Sequence, residues 1–418
     1  MQRVKLGDIA AIDISGVDKK TKAHESSVRL CNFTDVYYNW AITKELSSSF
    51  MTATANENQI SKFLLKKGQV AITKDSETRD DIGVAAYIAD DFDDVLLGYH
   101  CALITPDQSK LDGRYLNAFL HSPFMQQFFS ANASGSGQRY TLSADILNSI
   151  PVLLPSSKEQ QLIGEYFSSV DRKISNNQQI KASLESLART IYEHWFLQYD
   201  YPSDNGKPYK SSGGKMVWNS ALKKNIPHGW EVRSLSSLCV TELGGTPDTG
   251  NQSYWDGTFK WLNSGEVAAF PILDSEKTIT QAGIDNSATV LIPQGSVTLS
   301  ITRHLRPSIL AIDACINQSV VAILESEDMR KEFLYPMIVY EIPRLMALRT
   351  GAQQPHINKE IVDNICVVVP PNDILKRYYN TVSGMYDEII NAAKESKVLS
   401  QQRDYLLPLL ISGQVSIN

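Results

Sequence analysis

Two stretches of the chain place apolar residues at steps of four and three. Ile163, Phe167, Val170, Ile174, Asn177, Lys181, Leu184, Ala188 and Ile191 form one series. Tyr378, Val382, Met385, Ile389, Ala392, Ser396, Leu399, Arg403 and Leu406 form the other. This is the a/d signature of a helix that packs along a seam with another helix. The two series are offset by a constant 215 residues, and the match runs upstream, Ile146–Pro155 falling on Ile361–Pro370 without a gap. Ahead of the first series the pattern is different. Short β-like runs (Val28–Phe33, Gly68–Thr73, Gly83–Ala89, Leu96–Ile104) alternate with turn signals and with a helical stretch, Gly113–Phe129. Ser157 is the candidate N-cap of the first long helix, with Glu159 in its first turn, and the helix should reach about Phe196, roughly 58 Å at ~1.5 Å per residue.

The globular pattern then restarts. Val4-Lys5-Leu6 is echoed by Val232-Arg233 and Leu235, Asn32–Val36 by Asn263–Val267, Lys67–Ile72 by Gln294–Leu299, and Ser136-Gly137-Gln138 by Gly351-Ala352-Gln353. The expected division is a first head at 1–152, a first helix at 153–197, a linker at 198–229, a second head at 230–367, and a second helix with its tail at 368–410. The Pro-, Gly-, Ser- and Lys-rich segment from Asp200 to Gly229 predicts neither helix nor strand. The fold class expected is α+β: two mixed α/β heads in pseudo-twofold repeat, joined by a pair of long antiparallel coiled-coil-like helices. Asn177, Lys181, Ser396 and Arg403 are polar at seam positions. Such residues either fix helix register or mark where a partner docks.

Composition narrows this picture without changing it. Apolar content of 43% and charged content of 21% in 418 residues are those of a globular protein with sizeable cores. No apolar run approaches the ~20 residues that span a bilayer, and no secretory h-region opens the chain, so a cytoplasmic location is expected, away from membranes. The five cysteines are scattered and mostly set among apolar residues, as reduced core residues are. A net charge of −6 does not favour nucleic acid, but local basic surface matters more than the sum.

Enzyme signatures are not found. There is no phosphate-loop motif and no dinucleotide fingerprint; Ser134–Gly137 is Gly-rich but lacks the following lysine. Pro370-Pro371-Asn372 lacks the flanking acid and aromatic ring of an amino-methyltransferase motif. Asp80-Asp81 and Asp90-Asp91 read as solvated turns, and the seven histidines show no zinc spacing. What remains are polar, basic loops in equivalent places. Lys74, Ser76 and Arg79 follow a β-like run in the first head, as Thr302, Arg303, His304 and Arg306 do in the second. Gln138, Arg139, Tyr140 and Thr141 answer Gln353, Gln354, Pro355 and His356. These residue types grip phosphates and read base edges; any one such loop alone is better explained as an ordinary solvated turn, but two loop types recurring in both heads weigh against that. Lys19, Lys20 and Lys22 add a basic arm.

This arrangement resembles the specificity subunit of type I restriction–modification systems, over nearly the whole chain. The resemblance is carried by Ser136-Gly137-Gln138 through Leu142 to Ile150–Pro155, by Glu159-Gln160-Gln161 at the start of the helix and by Trp195-Phe196 at its end. The linker belongs to it as well, in Ser212–Trp218 and Ile226–Glu231. It implies two target-recognition domains, each reading half of a bipartite site in double-stranded DNA. It also implies a helical spacer that sets the gap and receives two methyltransferase subunits, with restriction subunits beyond them. S-adenosylmethionine, ATP and Mg are then expected on those partners, with no cofactor, metal or catalytic residue on this chain. In the second helix Asp373-Ile374-Leu375-Lys376 replaces the Glu-Gln-Gln start, so contacts near that end should differ. Two other readings remain: a scaffold binding proteins through both heads, and a self-contained restriction–modification enzyme.

Overall fold

The computed structural model describes residues 2–135, 137–351 and 353–417. Ser136 and Ala352, part of the sequence echo between the heads, lie outside the described residues. The chain divides into two compact units, Met1–Asn176 with Ser396–Asn418, and Asn177–Glu395. Each long helix thus gives one stretch to each unit.

In the first unit Gln2–Lys5 pairs antiparallel with Pro151–Leu154, tying the start of the head to the strand that leads into the long helix. The main sheet runs in the order Ala10–Ile14, Cys101–Pro106, Val70–Thr73, Ala85–Ile88, Ala41–Ile42. Val70–Thr73 and Ala85–Ile88 are buried at every position, so these strands read as unbroken apolar runs rather than alternation. A second sheet places Ser26–Cys31 between Met51–Ala55 and Val95–Leu97. Two expected elements are broken. Leu96–Ile104 is two strands in different sheets, parted at Gly98–His100, with His100 in the left-handed region at φ 71°. Gly113–Phe129 is two helices, Gly113–Leu120 and Pro123–Asn132: Pro123 has no N–H to continue the first, and the Ser122 hydroxyl caps the second.

The second unit repeats these pairings. Glu231–Ser234 lies antiparallel to Cys366–Val369. Thr241–Leu243, Val320–Ile323, Val297–Ser300 and Pro307–Ile309 form one sheet in that order. The parallel pair Ser26–Cys31 with Val95–Leu97 returns as Trp255–Leu262 with Ala314–Ile316. The duplication therefore persists as topology where the sequence echo has faded.

The first long helix spans Ser157–Tyr192 and closes in a π-turn, Glu193–Leu197; the second spans Asn372–Ser412. The N-cap of the first is Ser156 rather than Ser157. Its hydroxyl accepts from the Glu159 N–H at 3.3 Å while the Glu159 carboxylate accepts the Ser156 N–H at 2.9 Å, a capping box. Gln160, 3% exposed, accepts from the Asp112 N–H and donates to the Lys110 and Pro155 carbonyls, fastening this helix to its head. The corresponding residue of the second helix is Leu375, 1% exposed, which fills its core by apolar contact instead. That exchange accounts for the absence of a glutamine at this position of the second helix.

Within the first unit, Ile163 and Phe167 near the start of one helix share a core with Leu407, Leu410 and Ile411 near the end of the other. Within the second, Ala188 and Tyr192 share a core with Ile374, Tyr378 and Val382. Start meets end in both, so the helices pair antiparallel. The π-turn gathers Trp195 and Phe196 beside Tyr192, and Phe196 stacks edge-on to Tyr378 at 4.7 Å and to Phe333 at 5.0 Å.

The linker holds a β-hairpin, contrary to expectation. Met216–Asn219 pairs with Lys224–Pro227, the Asn219 side chain accepts from the Leu222 N–H in the turn, and Lys223 adopts φ 50°. Ile226 and Trp230 are buried in the second core, so a few apolar anchors hold a segment whose composition reads as loop. Four cysteines are buried and Cys366 is exposed; burial pushes the Cys101 and Cys239 thiols up to about 12.

Candidate nucleic-acid interface

In the first head the two candidate loops meet. Ser134–Gly135, Tyr140–Thr141 and Asp75–Ser76 form a three-stranded sheet in that order, Tyr140 opposite Ser76 and Thr141 opposite Asp75. Segments some 60 residues apart in sequence are thereby zipped into one edge. Gly135 has no room for a side chain, because a Cβ there would lie 2.1 Å from the Arg139 carbonyl oxygen. Gln138, Arg139 and Arg79 are exposed, and the Arg79 guanidinium lies over the Tyr140 ring at 5.4 Å. Lys74 is less free, since its Nζ is 3.0 Å from both carboxylate oxygens of Asp75. Burial pushes the Asp75 carboxyl up, but hydrogen bonds from Thr141, His100 and Lys74 outweigh it and hold the group below the usual carboxylate range.

The second head brings its loops together in the same way. Thr302 bridges His356, and His356 bridges Thr350, giving the same three-segment order. The Arg303 N–H donates to the Pro355 carbonyl at 2.8 Å, and the Arg303 carbonyl accepts from Arg349 Nη1 at 2.6 Å. These two bonds hold Arg303 at φ 56°, a left-handed backbone rare for a side chain of its size. Arg303, His304, Arg306, Gln353, Gln354 and His356 are all exposed, while Thr302 is half-buried. The His356 Nδ1 lies 3.0 Å from the Gln354 carbonyl.

Two backbone hydrogen bonds of the frame recur in both heads. Lys74 N–H donates to the His100 carbonyl and Leu142 N–H to the Lys74 carbonyl; in the second head Ile301 N–H donates to Ser319 and Ile357 N–H to Ile301. Lys74, Asp75 and His100 therefore correspond to Ile301, Thr302 and Ser319. The scaffold is shared and the chemistry displayed on it differs. The Lys19, Lys20 and Lys22 arm is partly neutralised, Lys22 lying 3.7 Å from both Asp18 and Glu25.

The polar seam residues are placed apart from these loops. Asn177, 1% exposed, donates to the Glu395 carboxylate at 2.8 Å, so it faces the neighbouring helix and not a docking surface. Lys181 is half-buried, and desolvation lowers its pKa against the opposing effect of Glu185. Ser396 is half-buried. The Arg403 guanidinium lies 5.5 Å from the Trp40 ring centre, and Trp40 stacks on His121 at 4.2 Å, so this arginine clasps its helix to the first head.

Residue type and loop position missed His100 and Arg349. His100 stands outside any polar run, and Arg349 stands just ahead of the Gln353-Gln354 loop. His100 could be found only from the pairing of Cys101 with Thr73, which sets it beside Lys74, and Arg349 only from the same reasoning about the second hairpin. Among the described residues, no group of three or more His, Cys, Asp or Glu is placed to hold a metal, and no helix is long and apolar enough to cross a membrane.

Known proteins resemble this chain in sequence and in overall fold. The chain is 22% identical over 310 residues to the type I restriction enzyme MjaIX specificity subunit of Methanocaldococcus jannaschii, covering 72% of this chain and 69% of that protein. It is 21% identical over 414 residues to the HindI specificity subunit of Haemophilus influenzae, covering 85% and 88%. Its fold is similar to the crystal structure of a type I restriction–modification S subunit from M. genitalium, with a TM-score of 0.60 at 13% identity, over 98% of this chain and 95% of that one. The family model of the type I restriction modification DNA specificity domain matches residues 1–186 and again 227–399. The chain thus belongs to the type I restriction–modification specificity family and carries that family's domain twice, its two heads being target-recognition domains.

Proposed function

We propose that this chain is the non-catalytic, sequence-reading subunit of a type I complex acting on DNA in the cytoplasm. Each head reads one half of a bipartite duplex site through its zipped loop pair. The paired helices set the gap between half-sites and receive two methyltransferase subunits, to which restriction subunits add. Methyl transfer and ATP-driven cleavage, with their S-adenosylmethionine, ATP and Mg, belong to those partners. The observation that carries this reading is the convergence, in both heads, of two distant polar loops onto one exposed edge built on the same backbone frame. Arginine and glutamine on such an edge suit guanine and adenine, each good bidentate pair contributing about 1–3 kcal/mol of discrimination.

The test is a selection of bound duplexes from a randomised library, with and without methyltransferase partners. Arg303→Ala or Arg306→Ala should relax one position of one half-site if the side chain reads a base, or weaken all sequences alike if it grips phosphate. Specific binding untouched by both changes, at a salt concentration where binding is measurable, overturns the assignment of this edge. Binding of protein but of no duplex would favour a scaffold.

A further inference from the structure

We infer that Asp75 and His100 are positioning residues for Arg139, fixing the aim of the first head's exposed arginine and with it the base that this head prefers. The inference rests on the reading of the loop pair as a DNA interface. Its basis is a chain of polar contacts between three separate stretches of sequence. Asp75 Oδ2 is 2.6 Å from His100 Nδ1. Arg139 Nη2 lies 3.2 Å from His100 Nε2 and 3.4 Å from Nδ1.

Asp75 holds the ring by one edge and Arg139 meets its face. An ionised carboxylate can only accept and a guanidinium can only donate. Nδ1 therefore carries a ring proton toward Asp75, while Arg139 Nη2, nearly equidistant from the two ring nitrogens, lies over the face of the imidazole rather than in line with the Nε2 lone pair. Lys74 and Thr141 donate to the same carboxylate, which keeps it ionised despite being 9% exposed. The ring itself is fixed. Its backbone is left-handed, its carbonyl accepts from the Lys74 N–H at 2.9 Å, and Tyr99 packs on it at 4.0 Å. Arg139 is thereby preorganised before DNA arrives, as side chains of a binding constellation must be for sharp discrimination. The second head has Thr302 and Ser319 in the corresponding places, so it lacks this relay and serves as an internal control.

The experiment uses the full chain with methyltransferase partners and duplexes randomised in both half-sites. Arg139→Ala tests the underlying reading: it should relax one position of one half-site, and no change there means the loop does not read DNA. Given that effect, His100→Ala and Asp75→Asn should each relax the same position by about five-fold or more, leaving the other half-site intact. Asp75→Asn keeps the shape but removes the charge that anchors the ring through Nδ1, so the imidazole and the guanidinium lying over its face lose their fixed aim. Asp75→Glu, which keeps the carboxylate, should recover part of the preference. The double variant Arg139→Ala/His100→Ala should be no worse than Arg139→Ala alone, since the histidine acts through the arginine. An unchanged second half-site shows that each variant is folded; should His100→Ala fail that check, His100→Gln replaces it. If Arg139→Ala relaxes the site while His100→Ala and Asp75→Asn do not, or if the effects multiply in the double variant, the inference falls and the interface stands.

Discussion

At the residue scale, function depends on side chains whose neighbours come from far along the chain. Arg403 is the clearest case: a polar residue on an apolar seam, it is explained by Trp40 and His121 in the first head. The same cluster makes a pH prediction. Burial lowers the His121 pKa to about 4, while burial raises that of Asp171 to about 6 against the opposing pull of Arg403 and Arg172. Unfolded, these groups titrate near ~6.5 and ~3.9. Between those limits an unfolded chain protonates His121 where the fold does not, so its contribution is lost as pH falls from ~6.5 toward 4. Asp171 holds a proton in the fold that it sheds unfolded, so its contribution is lost as pH rises from ~4 through 6. The two slopes oppose each other. Asp171→Asn should therefore steepen acid destabilisation, and His121→Asn should blunt it, each by about 2 kcal/mol between pH 6.5 and 4.5. Denaturant unfolding at the two pH values reads this directly, and equal pH slopes in all three proteins would show that neither group is desolvated by folding.

Elements were legible in the sequence to the extent that they are periodic. Both long helices and their apolar seam follow from the four–three spacing of apolar residues, whereas their antiparallel sense was expected from the pseudo-twofold repeat and not from the spacing. Strands buried on both faces, such as Val70–Thr73, show as apolar runs whose ends cannot be placed to the residue. The Leu96–Ile104 run concealed a change of sheet at Gly98–His100, and the linker hairpin was hidden because its anchors, Ile226 and Trp230, stand among turn formers. The candidate loops were legible by residue type, but their union was not, for it depends on strand pairing across some 60 residues. Asn177 shows what an element-scale polar residue does. It is buried at the seam and tied to Glu395, and replacing such a group by an apolar one tends to stabilise while loosening register. Asn177→Leu should leave thermal stability unchanged or raised. In a library with variable spacer, the same variant should accept a broader range of gaps than the parent. A marked fall in melting temperature with an unbroadened gap would mean that the hydrogen bond supports the fold without selecting register.

At the scale of the whole molecule, a duplicated head and a duplicated helix suit a site with two halves and a set distance between them. The proposal that the helices set that distance can be tested by length. Deleting one heptad from each helix at equivalent positions, 177–183 and 392–398, keeps the apolar seam in phase. At ~1.5 Å per residue it removes about 10 Å of each helix. Duplex DNA rises about 3.4 Å per base pair, so the preferred gap should contract by about three pairs. The duplex also turns by roughly a third of a revolution over that length, which can weaken binding, so affinity alone is a poor readout. Selection from a library with randomised spacer length separates the two effects: the half-site sequences should persist while the gap between them shortens. A shortened protein that folds, binds and still selects the original gap would show that distance is measured elsewhere, in the heads or in the partner subunits, and that the helices serve only to hold the chain together.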